Sequence, residues 1–251
     1  MSEHRPFSSS YRAYDLVYAS KDTAGEVDYI ASLVNRYLPN ARRVIEFGCG
    51  TGRHMKGLRG KGYETVGIDS SIEMLEVARK EKNGEVFLGD IRDAHLDQVF
   101  DVGLSIFHVM SYLIQDQDLE KAIKNVGEMI RDGGLLIFDF WYKPCVLKHG
   151  AKKKSLRAED SDLVVTRKTS PTDHGGGRID VLFEYKLTWL NSGKSEEFEE
   201  VHKMRSYDLS EIEEAATRSG FRLEHSEQWL TAEDVSEDKW GVVVVLRKVE
   251  S

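Results

Sequence analysis

The run Val44-Ile45-Glu46-Phe47-Gly48-Cys49-Gly50-Thr51-Gly52-Arg53-His54 constrains the fold more than any other stretch of the chain. An apolar run closes on an acidic residue, glycines then alternate with other residues, and a helical pattern follows. This is the sequence form of a strand, a tight nucleoside-binding turn and a helix N-terminus. Glycine serves where the backbone takes positive φ or passes close to a ligand. The helix start offers unpaired N–H groups and the positive end of its dipole, where a carboxylate or phosphate can sit. The dinucleotide fingerprint G-x-G-x-x-G fits Gly48 and Gly50, but its last position here is Arg53. The order is instead E-x-G-x-G-x-G. A glycine-rich turn without a ligand is the competing reading.

Strands and helices alternate around this turn. Residues 11–18 are rich in aromatics, and residues 24–38 read as an amphipathic helix with Val27, Ile30, Ala31, Val34 and Leu38 on one face. Strands are expected at 43–47, 65–68, 86–88, 100–107 and 135–140. Helices are expected at 54–59, 72–80 and 117–130, the last closed by Asp132-Gly133-Gly134. Ser70 or Ser71 suits the N-cap of the helix over 72–80. This alternation implies a doubly wound, mostly parallel sheet with helices on both faces.

Between about 151 and 205 the rhythm changes to longer strands, at 164–169, 179–190 and 197–207, parted by glycine-rich turns. A helix over 210–218 and strands at 221–230 and 240–249 bring the main sheet to seven strands. The expected organisation is an α/β core of residues 1–150 and 206–251, with an antiparallel β lid inserted over 151–205.

Composition narrows the class. The chain has 251 residues, 40% hydrophobic and 31% charged, enough for a sizeable core. Its net charge of −8 counts against broad nucleic-acid binding, which needs a basic surface. No apolar run is long enough to span a bilayer, and residues 1–6 are polar with no apolar signal region behind them. Two cysteines, Cys49 and Cys145, suggest no disulfide framework and a reducing, cytoplasmic setting. No metal-ligand constellation stands out.

Ligands of such sheets bind beyond the carboxyl ends of the strands. Strand one ends at Glu46 and the glycine turn. Strand two ends at Asp69, about 20 residues after the first glycine, the position of a ribose-binding carboxylate. Strand three runs into Gly89-Asp90-Ile91, where a carboxylate and an apolar neighbour suit an adenine amino group and ring face. Asp69 alone would also serve a dinucleotide enzyme; the joint set Glu46, Asp69 and Asp90 discriminates.

With Arg131-Asp132-Gly133-Gly134-Leu135 leading into strand five, these motifs resemble class I S-adenosylmethionine-dependent methyltransferases over most of the chain. The resemblance implies that Gly48, Gly50 and Gly52 pass the methionine part of S-adenosylmethionine and that Asp69 holds its ribose. Met74 would cover the adenine, with plain helix core as the competing reading. Asp90 with Ile91 would recognise the adenine, and Phe107 and His108 would flank the methionine end. Tyr14, Glu46, His54 and Ser70 complete the expected cofactor set.

Tyr14-Asp15-x-x-Tyr18 and the aromatic pair Trp141-Tyr142 further resemble bacterial sugar methyltransferases, in particular N-methyltransferases of nucleotide-linked amino sugars. The segment Phe107-His108-Val109-Met110-Ser111-Tyr112 differs from the small-residue form associated with the amino-sugar enzymes. Methyl transfer needs an aligned nucleophile, a dry site and removal of one proton. His108 is the first expected base, and Asp139 near the end of strand five the second. Tyr14 and Tyr18 would close over the sulfonium, whose positive charge favours an aromatic neighbour. Trp141 and Tyr142 would wall the acceptor, and His202 and Arg205 would reach it from the insertion. The expected acceptor is a small polar molecule, an amino or deoxy sugar foremost. O-methylation of another metabolite, or a non-catalytic S-adenosylmethionine- or nucleotide-binding module, are the alternatives. Strand edges in the insertion could pair two subunits as a homodimer.

Overall fold

Hydrophobic residues at alternate positions of the central strands divide the main sheet between two cores. The computed structural model describes residues 6, 7 and 9–250. Strands β1 (Arg43–Phe47), β2 (Glu64–Asp69), β3 (Glu85–Leu88), β4 (Phe100–Ser105), β5 (Ile130–Trp141), β10 (Phe221–Gln228) and β11 (Gly241–Lys248) form one sheet in the order β10-β11-β5-β4-β1-β2-β3. Only β11 runs against its neighbours. Leu136, Phe138 and Phe140 of β5 pack with Ile45 and Phe47 against helices α5 (Asp118–Met129) and α7 (Leu209–Arg218). Leu135 and Ile137 face the other way, with Val44 and Leu104, toward α2 (Thr23–Tyr37). Each such fully buried side chain stabilises the fold by about 1.5–3 kcal/mol.

After β3 the chain crosses back to place β4 on the far side of β1. This switch opens a crevice beyond the carboxyl ends of β1 and β4, where doubly wound sheets bind ligands. Helices α3 (Arg53–Gly60) and α4 (Ile72–Lys80) flank it. Ser71, rather than Ser70, caps α4 by accepting from the Met74 N–H at 3.2 Å.

A second sheet, in the order β6-β7-β8-β9, is antiparallel throughout. It comprises β6 (Lys154–Glu159), β7 (Leu163–Asp173), β8 (Arg178–Trp189) and β9 (Ser195–Arg205). Its buried face packs at one end on the N-terminal helix α1 (Tyr11–Val17), where Ala13 and Val17 meet Val165, Tyr185 and Leu187. At the other end Ile179, Val181 and Met204 meet Val146 of α6 (Lys143–His149).

The structure corrects one local expectation and adds two elements. Ladder hydrogen bonding of β5 begins at Ile130, so α5 stops at Met129, and the glycine pair lies inside a bulged strand. The apolar phase of α5 continues through Ile130, which hides the switch. Helix α6 has no counterpart in the sequence pattern; it is short and starts at Lys143-Pro144, and proline suits a first turn. Strand β6 adds a fourth strand to the three expected in the insertion; this mostly exposed edge strand lacks the apolar alternation that marks a strand in the sequence. No helix among the described residues is long and apolar enough to cross a membrane.

Candidate active site

The glycine turn after β1 and the turns after β2 and β3 floor a cavity of about 1090 Å³, roofed by α1 and the edge strand β9. At Gly48 φ is +70°, and a Cβ would lie 2.5 Å from a Val109 methyl. At Gly50 φ is +54° with open space where a Cβ would point. The first glycine thus permits close packing under the turn, and the second leaves room above it. Gly52 caps α3 and is not among the lining residues.

Asp69 is fixed by this turn. The Gly50 N–H donates to Oδ2 at 2.7 Å and the Ser71 N–H to Oδ1 at 2.8 Å. Burial raises its pKa, opposed by these backbone donors. Ser70, Met74 and Ile91 line the same cavity, and Met74 is also fully buried in its helix. Asp90 is held bidentately by Arg92 at 2.7 and 2.8 Å, which lowers its pKa. Arg92 also reaches Asp118 at 3.2 Å.

Glu46 is buried one layer behind the cavity wall. Its Oε1 lies 3.2 Å from His54 Nδ1, while Oε2 has no hydrogen-bond partner among the described residues. His54 Nε2 is 2.9 Å from Glu26, which also pairs with Lys21 at 2.8 Å. Burial lowers the His54 pKa, but the hydrogen bonds to Glu26 and Glu46 prevail and bring it to about 9.

Aromatic rings form an arc along the cavity. Phe107 meets Tyr18 edge-on at 5.1 Å, Tyr18 meets Tyr14 at 4.9 Å, Tyr14 meets Phe7 at 5.7 Å, and Phe7 meets Tyr112 at 6.2 Å. All of these rings line the cavity. Phe107 and His108 both have positive φ, 73° and 62°, so the end of β4 stores backbone strain that aims Phe107 into the arc. Lys21 Nζ sits 3.5 Å above the Phe107 ring centre. Arg167 of β7 donates to the Tyr18 hydroxyl at 2.9 Å.

The inserted sheet holds α1 in place through one carboxylate. Glu200 of β9 accepts from the backbone of Ser9 and Ser10 at 2.9 Å each and from the Ser10 hydroxyl at 2.7 Å. On the same face His202 Nε2 is 3.2 Å from Glu200, and its Nδ1 is 2.7 Å from the Tyr112 hydroxyl. Asp15 of α1 accepts from Thr51 of the glycine turn at 2.9 Å. Helix α1 therefore bridges the two sheets across the cavity.

His108, Asp139, Trp141 and Tyr142 are not among the residues lining this cavity. The His108 N–H donates to Asp139 Oδ1 at 3.0 Å, and its Nδ1 is 2.6 Å from Oδ2, close but out of line for a hydrogen bond. Burial raises the Asp139 pKa, but His108 outweighs it and the net shift is downward. His108 stacks on Phe107 at 5.9 Å and meets Trp141 at 6.2 Å. Tyr142 caps α6. Arg205 is committed to Asp116 at 2.8 Å and Glu211 at 2.9 Å, away from the lining. His202 is buried behind Tyr112 and does not line the cavity itself.

Phe7, Tyr112, Arg167 and Glu200 had no place in the sequence reading of the site. Glu200 and His202 carried one usable signal: spaced i, i+2 on a strand, they must share a face.

The sequence and fold were compared with known proteins. A family model described as a methyltransferase domain matches residues 44–134. The chain is 30% identical over 218 residues to the dTDP-3-amino-3,4,6-trideoxy-alpha-D-glucopyranose N,N-dimethyltransferase of Streptomyces venezuelae, covering 85% of this chain and 90% of that one. The crystal structure of Streptomyces venezuelae DesVI superposes with a TM-score of 0.80 at 25% identity, over 96% of this chain and 98% of that one. The SAM-bound structure of CalS10, an amino pentose methyltransferase from Micromonospora echinaspora, shares the fold with a TM-score of 0.75 at 19% identity, over 98% and 97% of the two chains.

Proposed function

Because the chain belongs to the S-adenosylmethionine-dependent methyltransferases, we propose that it methylates the amino nitrogen of a nucleotide-linked amino sugar, deoxygenated amino sugars included. S-adenosylmethionine is its cofactor and, when bound, supplies an electrophilic methyl group on a sulfonium. The residues fit that group. Asp69 keeps lone pairs for two ribose hydroxyls beyond the two backbone donors it already holds. The open space above Gly50 admits the ligand to the turn, and Glu46 Oε2 remains a buried acceptor without a partner among the described residues. Met74 and Ile91 offer apolar contact for the adenine, with Asp90 beside them. Tyr14, Tyr18 and Phe107 face the methionine end and exclude water from it.

The observation that carries the nitrogen acceptor is the likeness to a dTDP-amino-sugar N,N-dimethyltransferase, at 30% identity over 85% of this chain; the aromatic arc suits the cofactor's sulfonium and a cationic acceptor alike. A row of π faces favours a positive charge, and an amino group is cationic before deprotonation and again after methylation. The cavity volume, about 1090 Å³, also exceeds the roughly 300–1,000 Å³ usual for one small ligand, which leaves room for an acceptor beside the cofactor. The dTDP-amino-sugar N,N-dimethyltransferase relative supports the sugar class.

Mass spectrometry of reactions containing S-adenosylmethionine and paired nucleotide sugars, one with an amine and one with a hydroxyl at the same carbon, tests this reading. Methylation of the amine alone is expected. Methylation of the hydroxyl sugar would move the assignment to O-methylation, and methylation of neither would remove the sugar acceptor.

A further inference from the structure

The cavity wall contains a polar chain that cofactor binding does not use. Tyr112 lines the cavity from the turn after β4, and its hydroxyl lies 2.7 Å from His202 Nδ1. His202 Nε2 lies 3.2 Å from the carboxylate of Glu200. His202 and Glu200 are buried, and Phe7 and Phe183 pack edge-on against the imidazole at 4.9 and 4.7 Å. Of the two neutral tautomers of a histidine bonded at both nitrogens in this way, one satisfies both partners. Nε2–H donates to Glu200, and Nδ1 accepts from the Tyr112 hydroxyl.

From this arrangement, and resting on the amine reading above, we infer that Tyr112, His202 and Glu200 form a proton relay that deprotonates the acceptor ammonium. The acceptor nitrogen gives a proton to the Tyr112 oxygen as the Tyr112 proton moves to His202 Nδ1. One N–H bond and one O–H bond break, and one O–H bond and one N–H bond form. The phenol is regenerated, the acceptor becomes a neutral amine with a free lone pair, and the positive charge passes to the imidazole. Glu200 pairs with that imidazolium. Burial raises the Glu200 pKa, but the hydrogen bonds from His202, Ser10 and the backbone outweigh it and hold it at about 2, so Glu200 is ionised across the working range. Tyr112 is the catalytic residue of this set; His202 and Glu200 act through it.

The geometry also explains why the clasp and the relay share one carboxylate. Glu200 accepts the backbone N–H groups of Ser9 and Ser10 as well as the imidazole. Docking of the N-terminal segment therefore fixes the end of the relay while it brings Phe7 and Tyr14 over the cavity. The titratable and charged groups facing the relay include Tyr14 of α1, Tyr18 at its C-terminal end, Arg167 of β7 and Tyr185 of β8.

The test combines the imidazole nitrogen spectrum of the full-length protein with kinetics of Tyr112→Phe and His202→Gln. His202 should appear as a neutral ring protonated at Nε2, with an Nδ1 signal that moves in Tyr112→Phe. On the amine-bearing nucleotide sugar, both variants should lose about 100-fold in kcat near neutral pH, in line with general-base catalysis. Their affinity for S-adenosylhomocysteine should stay close to that of the parent, and both should remain folded at the assay temperature, although the buried partner left unpaired lowers the melting temperature. The deficit should shrink as pH rises, because solvent then deprotonates the amine directly. Parent-like kcat and pH profiles in both variants, or a His202 protonated at Nδ1, would overturn the relay. A parent that methylates no amine-bearing nucleotide sugar would overturn the amine reading and the relay with it, whereas an active parent with parent-like variants would overturn the relay alone.

Discussion

Asp69 and His54 show how single residues set the behaviour of the cofactor side. Asp69 is half-buried at the cavity floor, where two backbone N–H groups hold it in one orientation with acceptor capacity to spare. Replacing it with Asn removes a charged acceptor for the ribose, a contact class worth about 1.5–3 kcal/mol. The Asp69→Asn variant should therefore bind S-adenosylhomocysteine at least about 10-fold more weakly by calorimetry. Unchanged affinity would place the ribose elsewhere. His54 makes a prediction about stability. Its folded pKa, about 9, lies above the ordinary value of 6.5. A group raised in this way lends stability in full below its unfolded pKa and loses it as pH climbs through the folded one. The melting temperature should fall between about pH 6.5 and pH 9, and this slope should be missing in His54→Asn. A variant with the parent slope would assign it to other groups.

At the scale of elements, α1 matters more than its length suggests. It rests on the inserted sheet through Ala13 and Val17, touches the glycine turn through Asp15, and is preceded by backbone that Glu200 captures. Glu200→Ala leaves those donors without their buried acceptor, at a cost on the order of 3 kcal/mol. Amide hydrogen exchange should accelerate across residues 9–18 in this variant while β1, β4 and β5 stay protected. Uniform loss of protection would mean that α1 and the main sheet unfold as one unit. The same element shows where sequence reading succeeded and where it stopped. The cofactor side was legible because its parts are local: a strand, a glycine turn, and carboxylates at the ends of successive strands. The acceptor side was not, because Phe7 and Tyr112 of its wall, and Arg167 and Glu200 that hold the wall from behind, come from four distant segments. Tyr14 and Tyr18 stood out through their spacing, whereas Tyr112 gained its partner only when β9 folded over it. The bulged start of β5 was hidden for a different reason, since Ile130 continues the apolar phase of the preceding helix.

Across the whole molecule, the cavity is a joint product of two sheets. The doubly wound sheet supplies the floor at its switch point, and the insertion supplies Tyr112's partner and the anchor for the roof. Binding at such a joint should stabilise both parts together. S-adenosylhomocysteine at about 100 times its Kd should add about 2.7 kcal/mol to unfolding and shift the whole transition without splitting it. A split transition would separate the insertion from the cofactor site.

The central claim is methyl transfer from S-adenosylmethionine to a sugar nitrogen. Its most direct measurement follows an isotopically labelled methyl group from the cofactor into a nucleotide-linked amino sugar, with fragmentation to locate the label. The label should appear on nitrogen, singly or doubly. Label on oxygen, or none in the sugar while S-adenosylhomocysteine still binds, would contradict the claim.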